Sequence, residues 1–341
     1  MTSLEGGATL PYCVSISKYD PADRDEHWAY IGPEEPISDH GPVEAAYLKA
    51  VAAFAAELGV ERLTIREPGL TSINFGLEPT IEGHGLIGLF PADLTGFHDG
   101  AEVSLEVALE LVRAMMRDNG AFCSLEVAGR LEVSVGYDQY VRVLTSSPCE
   151  SAIATTYALG LFPDARDPAI YAIDDEDTVY RPADDEFWKK LVGSVAAGEA
   201  GLLEEMRVYN RSTWCRLNGE GVDLAAIRAG LRPRARLTVW PPLSTDLDAV
   251  RRAATAAEWS AQIMWQDADG RIVSTYVDEI EDVDAVLANA RAALCTANVV
   301  DERIALYTAI VPDGDGVVRV LRGMDPTEDD RRWAERQAPP A

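Results

Sequence analysis

Apolar positions along this chain repeat with two periods, and the switches between them divide most of it into elements. Residues 12–17 (YCVSIS) set small and apolar side chains between a proline and KYDP, which predicts a short first strand. From Pro42 onward Ala46, Leu48, Val51, Phe54 and Leu58 keep roughly helical spacing. The proline suits the first turn, Glu44 lies near the positive end, and Gly59 supplies the stop. Residues 62–66 (RLTIR) alternate as a strand, whereas residues 69–100 are rich in Gly and Pro, lack a period, and are expected to form an irregular excursion. A second helix is predicted over residues 104–118, with Ser104 as N-cap and Val107, Leu111 and Met115 on one face. Strands FCSLEV, LEVSV and QYVRVL follow in close order, then a helix over residues 148–159, the pattern of a meander with a helix packed on it.

Between residues 162 and 186 acids accumulate in DARDPAIYAIDDEDTVYRPADDE, a run too polar to bury. It predicts a connection over residues 163–186 between an N-terminal α+β domain, residues 1–162, and a C-terminal one, residues 187–324, with residues 325–341 as a frayed tail. Past the connection, residues 187–206 read as a helix with a weak middle at Gly198 and Gly201, and TWCRL reads as a strand. Strand 235–240, helix 246–257, strand 260–266, a DADG hairpin, strand 271–277, helix 282–294 and strand 304–311 then give the order βαββαβ. The expected class is α+β, with antiparallel sheets carrying helices on one face and a ferredoxin-like core over residues 235–311. NGAFCSLEVAG (119–129) echoes NRSTWCRLNGEG (210–221), through chance or through a duplicated α+β unit.

Charge changes the picture most. The 341 residues hold 57 acids against 30 Lys and Arg, a formal charge of -27 that repels nucleic acid and anionic membrane and attracts basic proteins. With 47% hydrophobic and 26% charged residues, the chain has enough apolar material for two cores. The opening MTSLEGGATLPYC lacks the pattern of an export signal, and no run of about 18 apolar residues occurs, so a cytoplasmic location is expected. Cys13, Cys123, Cys149, Cys215 and Cys295 are odd in number and widely spaced, which reads as reduced core thiols rather than a disulfide framework or a zinc site.

Candidate chemistry is concentrated in residues 18–41. Tyr19, Asp20, Asp23, Asp25, Glu26 and His27, followed by Asp39 and His40, bring carboxylates and imidazoles together as divalent-metal ligands or acid–base groups would require. The plainer reading is a turn at Asp20-Pro21, solvated acids, and a helix cap from Ser38 or Asp39. His84 and His98-Asp99 lie in the excursion. GYDQY (136–140) joins two strands and offers Tyr137, Asp138 and Tyr140 as a recognition surface. Arg228, Arg232, Arg234 and Arg236 form the one notable basic island, read as internal ion pairs or as a phosphate or carboxylate site. The runs DDED and DDE lack the geometry of an EF-hand. No GxSxG, HExxH, GxGxxG or GxxxxGK[ST] occurs.

SISKYDPADRDEHWAY, SDHGPVEAAYL, NGAFCSLEV and VGYDQYVRV together resemble an uncharacterised actinobacterial family that opens with a Ser-Lys-Tyr-Asp-Pro motif. The resemblance extends over most of the chain. Some members carry an RNA-binding label, so the resemblance implies RNA binding as one reading, but it brings no catalytic residues. An RNA-recognition module needs exposed aromatics and cations on its central strands, and GRIVSTYVD has only Tyr276 and Arg271. The leading expectation is therefore an acidic interaction protein, of immunity or inhibitor type, that binds a basic partner through anchors such as Tyr19, Tyr137 and Tyr140 and uses neither metal nor cofactor. The rival is a metal-assisted hydrolase built on Asp20, Asp23, His27, Asp39 and His40.

Overall fold

Strand segments of period two dominate the first half. The computed structural model describes residues 10–27, 29–33, 37–70, 85–136, 139–168, 181–209, 211–219, 221–256, 261–277, 279–297 and 305–319. These fall into two compact units, residues 10–168 and residues 181–319. The first runs β1 (Tyr12–Ser17), α1 (Gly41–Glu57), β2 (Arg62–Gly69), β3 (Glu102–Ser104), α2 (Leu105–Met116), β4 (Phe122–Val127), β5 (Leu131–Val135), β6 (Val141–Thr145), α3 (Glu150–Ala158) and β7 (Phe162–Arg166). Its strands form one antiparallel sheet in the order β3-β2-β4-β5-β6-β1-β7.

Register explains why one face of that sheet is the core. Ile65, Leu125, Val133, Val143 and Val14 oppose one another across five strands, and none is more than 5% exposed. Each such burial contributes about 1.5–3 kcal/mol. The next row, one residue along, carries Thr64, Glu126 and Glu132, so a slip by one position would bury carboxylates. Helix α1 packs against α2 and α3, and α2 lies on β2 to β5, so the helices share one face. Ser104 caps α2 as expected, accepting from the Val107 N–H at 3.3 Å. Helix α3 is capped from a distance: Glu57 Oε2, at the end of α1, accepts from the Ala152 N–H at 2.7 Å.

Two segments of this unit differ from the pattern's forecast. Phe162–Arg166, expected to open the connection, pairs along β1 as an edge strand. Residues 85–100 are a succession of turns, yet Leu86, Leu94 and Phe97 are at most 2% exposed. Residues 71–84 of the excursion lie outside the described residues; residues 85–100 are irregular in backbone but packed by their side chains, a combination that a search for periodicity cannot detect.

The second unit runs α4 (Asp185–Ala196), β8 (Leu202–Val208), β9 (Arg211–Arg216), α5 (Leu224–Gly230), β10 (Arg236–Trp240), α6 (Leu247–Thr255), β11 (Ala261–Gln266), β12 (Ile272–Val277), α7 (Ile280–Ala288), β13 (Ala292–Ala297) and β14 (Tyr307–Ile310). It has two antiparallel sheets, of order β14-β10-β8-β9 and β12-β11-β13. Phe187, Leu191 and the half-buried Ile227 of α4 and α5 cover one face of the first sheet at Leu203, Leu237 and Val239. Val250, Val283 and Leu287 of α6 and α7 cover one face of the second at Ile263 and Val277. The remaining faces meet through Leu202, Trp240 and Met264, joined by Trp214, Ile272 and Leu294. The layers are helices, sheet, sheet, helices.

This α+β arrangement is not the ferredoxin-like sheet expected for residues 235–311, because β10 and β14 belong to one sheet and β11, β12 and β13 to another. The cause is β8, which lies in the stretch read as the second half of a helix. Gly198, at φ +75°, follows the end of α4. At Gly201 a Cβ would lie 2.2 Å from Pro242 Cα, so only glycine permits β8 to start this close to the chain leaving β10. Strand β8 then pairs along the whole of β10, on the side where a ferredoxin-like sheet would place β12. The last predicted helix also ends early, at Asn289, and Ala292–Ala297 takes the position beside β11. Because the strands of the βαββαβ order do not share one sheet, the platform expected of an RNA-recognition module over residues 235–311 is not formed there. The duplicated unit is not formed either: β4 follows helix α2 within a sheet, whereas β9 follows strand β8 and lies at an edge. No helix among the described residues is long and apolar enough to cross a membrane.

Candidate functional site

The segment after β1 folds onto the β5–β6 turn. Tyr19 is 3% exposed, and its ring lies 4.9 Å from Tyr30 and 5.9 Å from Tyr140. Arg24 donates to the Tyr140 hydroxyl and lies over the Tyr19 ring. Lys18 Nζ donates to Ser38 Oγ at 2.8 Å, and Ser38 donates in turn to Gln139 Oε1. The structure therefore brings together Tyr19 and Tyr140, two anchors proposed from the sequence, but as an interior aromatic cluster. Tyr137 and Asp138, like His84, lie outside the described residues.

Two acids of this segment, Asp20 and Asp25, serve their own backbone. Asp20 accepts from the Ala22 N–H at 2.9 Å and caps a 3-10 turn, Pro21–Asp23. Asp25 accepts from the N–H groups of His27 and Ala29, both at 2.9 Å. The Glu26 and His27 side chains are exposed and 3.6 Å apart, as are Asp39 and His40. Asp23 lies in the 3-10 turn. Adjacent exposed pairs of this kind do not make a pocket. Among the described residues no three His, Cys, Asp or Glu side chains come together as metal ligands would, so the hydrolase reading has no ligand set there.

Two buried charge clusters were not legible in the sequence. At the β2 bulge Glu67 has φ 53°, its N–H and Arg66 Nε both donate to Asp99 Oδ1 at 3.0 Å, and Arg66 Nη1 pairs with Glu126. Burial disfavours the Arg66 charge, but Asp99 and Glu126 outweigh it and raise the pKa above its ordinary value. The second cluster lies between the two sheets, where Glu204, 7% exposed, accepts from Trp240 Nε1 at 2.9 Å and from Ser212. The members of the first are 33 and 60 residues apart, and those of the second 36 and 8. The unusual bulge residue Glu67 is the nearest thing to a local signal.

Several arginines elsewhere are engaged by carboxylates. Arg228 pairs with Asp185 at 2.7 Å and Arg234 with Asp313 at 3.0 Å, so these two members of the basic island are internally neutralised. Arg113 and Arg117 share Glu44, Arg251 meets Asp284, and Arg319 spans Asp313 and Asp315. Other acids of the described residues are exposed. One group of them opens α7, where Glu279, Glu281 and Asp282 are exposed beside Ile280, itself 44% exposed. A scan against family models and searches of curated proteins and of solved structures return no match to the chain.

Proposed function

We propose that this chain is an acidic interaction protein that binds a basic partner protein, in the manner of an inhibitor or immunity protein. The observation that carries the reading is how the cations are used. Arginines across both units are held by carboxylates, and the acids left over, among them Glu279, Glu281 and Asp282, face solvent. A surface of this kind steers a cationic protein by long-range attraction and rejects anionic ones. Apolar side chains among the acids, such as Ile280, supply contact area once the partner has arrived.

The test is the association rate with a small basic protein and with an acidic one of equal size, measured by surface binding at low and at physiological ionic strength. Association with the basic protein is expected to be fast and to slow steeply as salt is added, because the Debye length shrinks to about 8 Å near physiological ionic strength. Rates that ignore salt, or an acidic protein that binds as well as the basic one, would overturn the proposal.

A further inference from the structure

The strand edges of the three sheets are not equivalent. Strand β3 is 3 residues long, and β7 contains Pro163, which cannot donate. The outer side of β14 is bonded through Ile310 to residues 181 and 183, and β13 is bonded to Ser244. Strand β9 begins and ends with arginine and its register is broken between Met206 and Val208. Each of these features blunts an edge or makes it unattractive to a cationic segment. Strand β12 is 6 residues long and, among the described residues, carries none of these features at Ile272 or Ser274. Its sequence, IVSTYV, contains no charge and no proline, its register with β11 is continuous over 6 residues, and Val273 is 37% exposed.

The hairpin before β12 shows which of its backbone groups face outward. Asp267 N–H donates to Arg271 O at 2.9 Å, and Gly270 N–H to Asp267 O, so 267 and 271 are a hydrogen-bonded pair. Hydrogen-bonded and non-bonded pairs alternate along an antiparallel ladder, so Ile272 and Ser274 turn their N–H and C=O groups away from β11. The bond from Arg291 N–H to Gln266 O, on the opposite side of β11, has the same phase. Just past Val277 stand Glu279, Glu281 and Asp282, none of which has a cation partner among the described residues.

We propose that β12 is the docking edge for an extended basic segment of a partner protein. The segment adds antiparallel to β12 as a fourth strand and sets lysine or arginine side chains of its N-terminal end against Glu279, Glu281 and Asp282. Backbone hydrogen bonds supply affinity and the carboxylates supply direction. A second copy of this chain is the poorer occupant, because it brings another -27 and a second set of the same carboxylates into the interface. This inference rests on the interaction reading above and specifies where it acts.

The test uses the full chain and a labelled peptide of three lysines followed by alternating threonine and valine over six residues. A comparator replaces alternate threonines by proline, keeping charge but not pairing. Fluorescence anisotropy is expected to show the pairing peptide binding about tenfold tighter or more. Ser274→Pro removes an outward N–H together with the hydroxyl that accepts from Gln262 Nε2 at 2.6 Å, and is expected to erase that preference with near-UV circular dichroism unchanged, whereas Ser274→Ala, which removes the hydroxyl alone, is expected to retain it. Val273→Lys, which places a cation at the edge, is expected to erase it as Ser274→Pro does and decides the matter should the proline variant fail to fold. Combined Glu279→Gln, Glu281→Gln and Asp282→Asn is expected to weaken both peptides and flatten their salt dependence. Equal binding of the two peptides overturns strand addition while leaving the acidic-surface reading in place. No salt-dependent binding of either overturns both. A dimer that Ser274→Pro converts to monomer assigns the edge to a second copy and also overturns the inference.

Discussion

Glu204 of β8 ties together β9 and β10 within the first sheet of the second unit, and its replacement separates two accounts of what a buried carboxylate does there. Trp240 Nε1 can only donate, and its acceptor is Glu204 Oε2 at 2.9 Å in a position 5% exposed. Glu204→Ala leaves that N–H buried without a partner, at about 1–3 kcal/mol, and removes side-chain packing besides. Ser212, half-buried, can turn its hydroxyl elsewhere, so its loss adds less than about 1 kcal/mol. The expected total is about 3 kcal/mol. Glu204→Gln keeps the shape: the amide oxygen accepts from Trp240 and the amide NH2 donates to Ser212, so the cost should stay near 1 kcal/mol. Urea unfolding followed by tryptophan fluorescence reports the right place, since Trp214 and Trp240 lie 6.4 Å apart at this junction. A loss of 3 kcal/mol moves the midpoint by about 1–2 M urea. An alanine variant within about 1 kcal/mol of the parent would refute the hydrogen-bond account. A glutamine variant as costly as alanine would show that the negative charge itself is what the junction needs.

Three further outcomes are expected. Arg66→Met strands Asp99, whose side chain is 1% exposed, and Glu126, and should cost about 3–5 kcal/mol in thermal unfolding followed by far-UV circular dichroism, whereas loss of an exposed pair such as Arg62–Glu102 should cost under about 1 kcal/mol. The hydrogen bond from Arg319, supported by the Val317 N–H, holds the Asp315 carboxyl down at about 2, so an NMR titration should find its midpoint there and Arg319→Ala should return it toward 3.8. Because the folded value is the depressed one, the stability linked to Asp315 is complete above the unfolded value and fades as pH falls toward 2. Burial pushes the Cys123 thiol up to about 12, so alkylation at mildly alkaline pH should spare it in the folded chain and reach it on unfolding. The linked stability is present below the unfolded value near 9 and is lost progressively as pH rises from there through the folded value of about 12.

Local features of the chain were enough for elements with clear periodicity, although α1 starts after His40 without the side-chain cap expected from Ser38 or Asp39. Helices α1 and α2 were legible because apolar residues recur at helical spacing, with Ser104 capping α2, and the β11–β12 hairpin because DADG is a strong turn signal. Strand β8 was missed because LLEEM is as compatible with a helix as with a strand, and only pairing with β10 and β9 decides between them. The candidate site was legible in part. Tyr19 and Tyr140 do meet, but whether a tyrosine anchors a partner or fills a core depends on what covers it, and Tyr30 and Arg24 cover Tyr19.

What the residues determined without a fold is the charge excess, the α+β class and the neutrality of IVSTYV, since these depend on composition and on neighbours within a few positions. The three-dimensional structure decided which strands share a sheet, that Glu44, Asp99 and Glu204 are interior while Glu279 and Glu281 face solvent, and that β12 lies at an edge. Coulomb attraction and backbone hydrogen bonds depend on distance through space. Residues that meet across 30 or 60 positions, as Arg66 does with Asp99 and Glu126, acquire their partners only when the chain is folded.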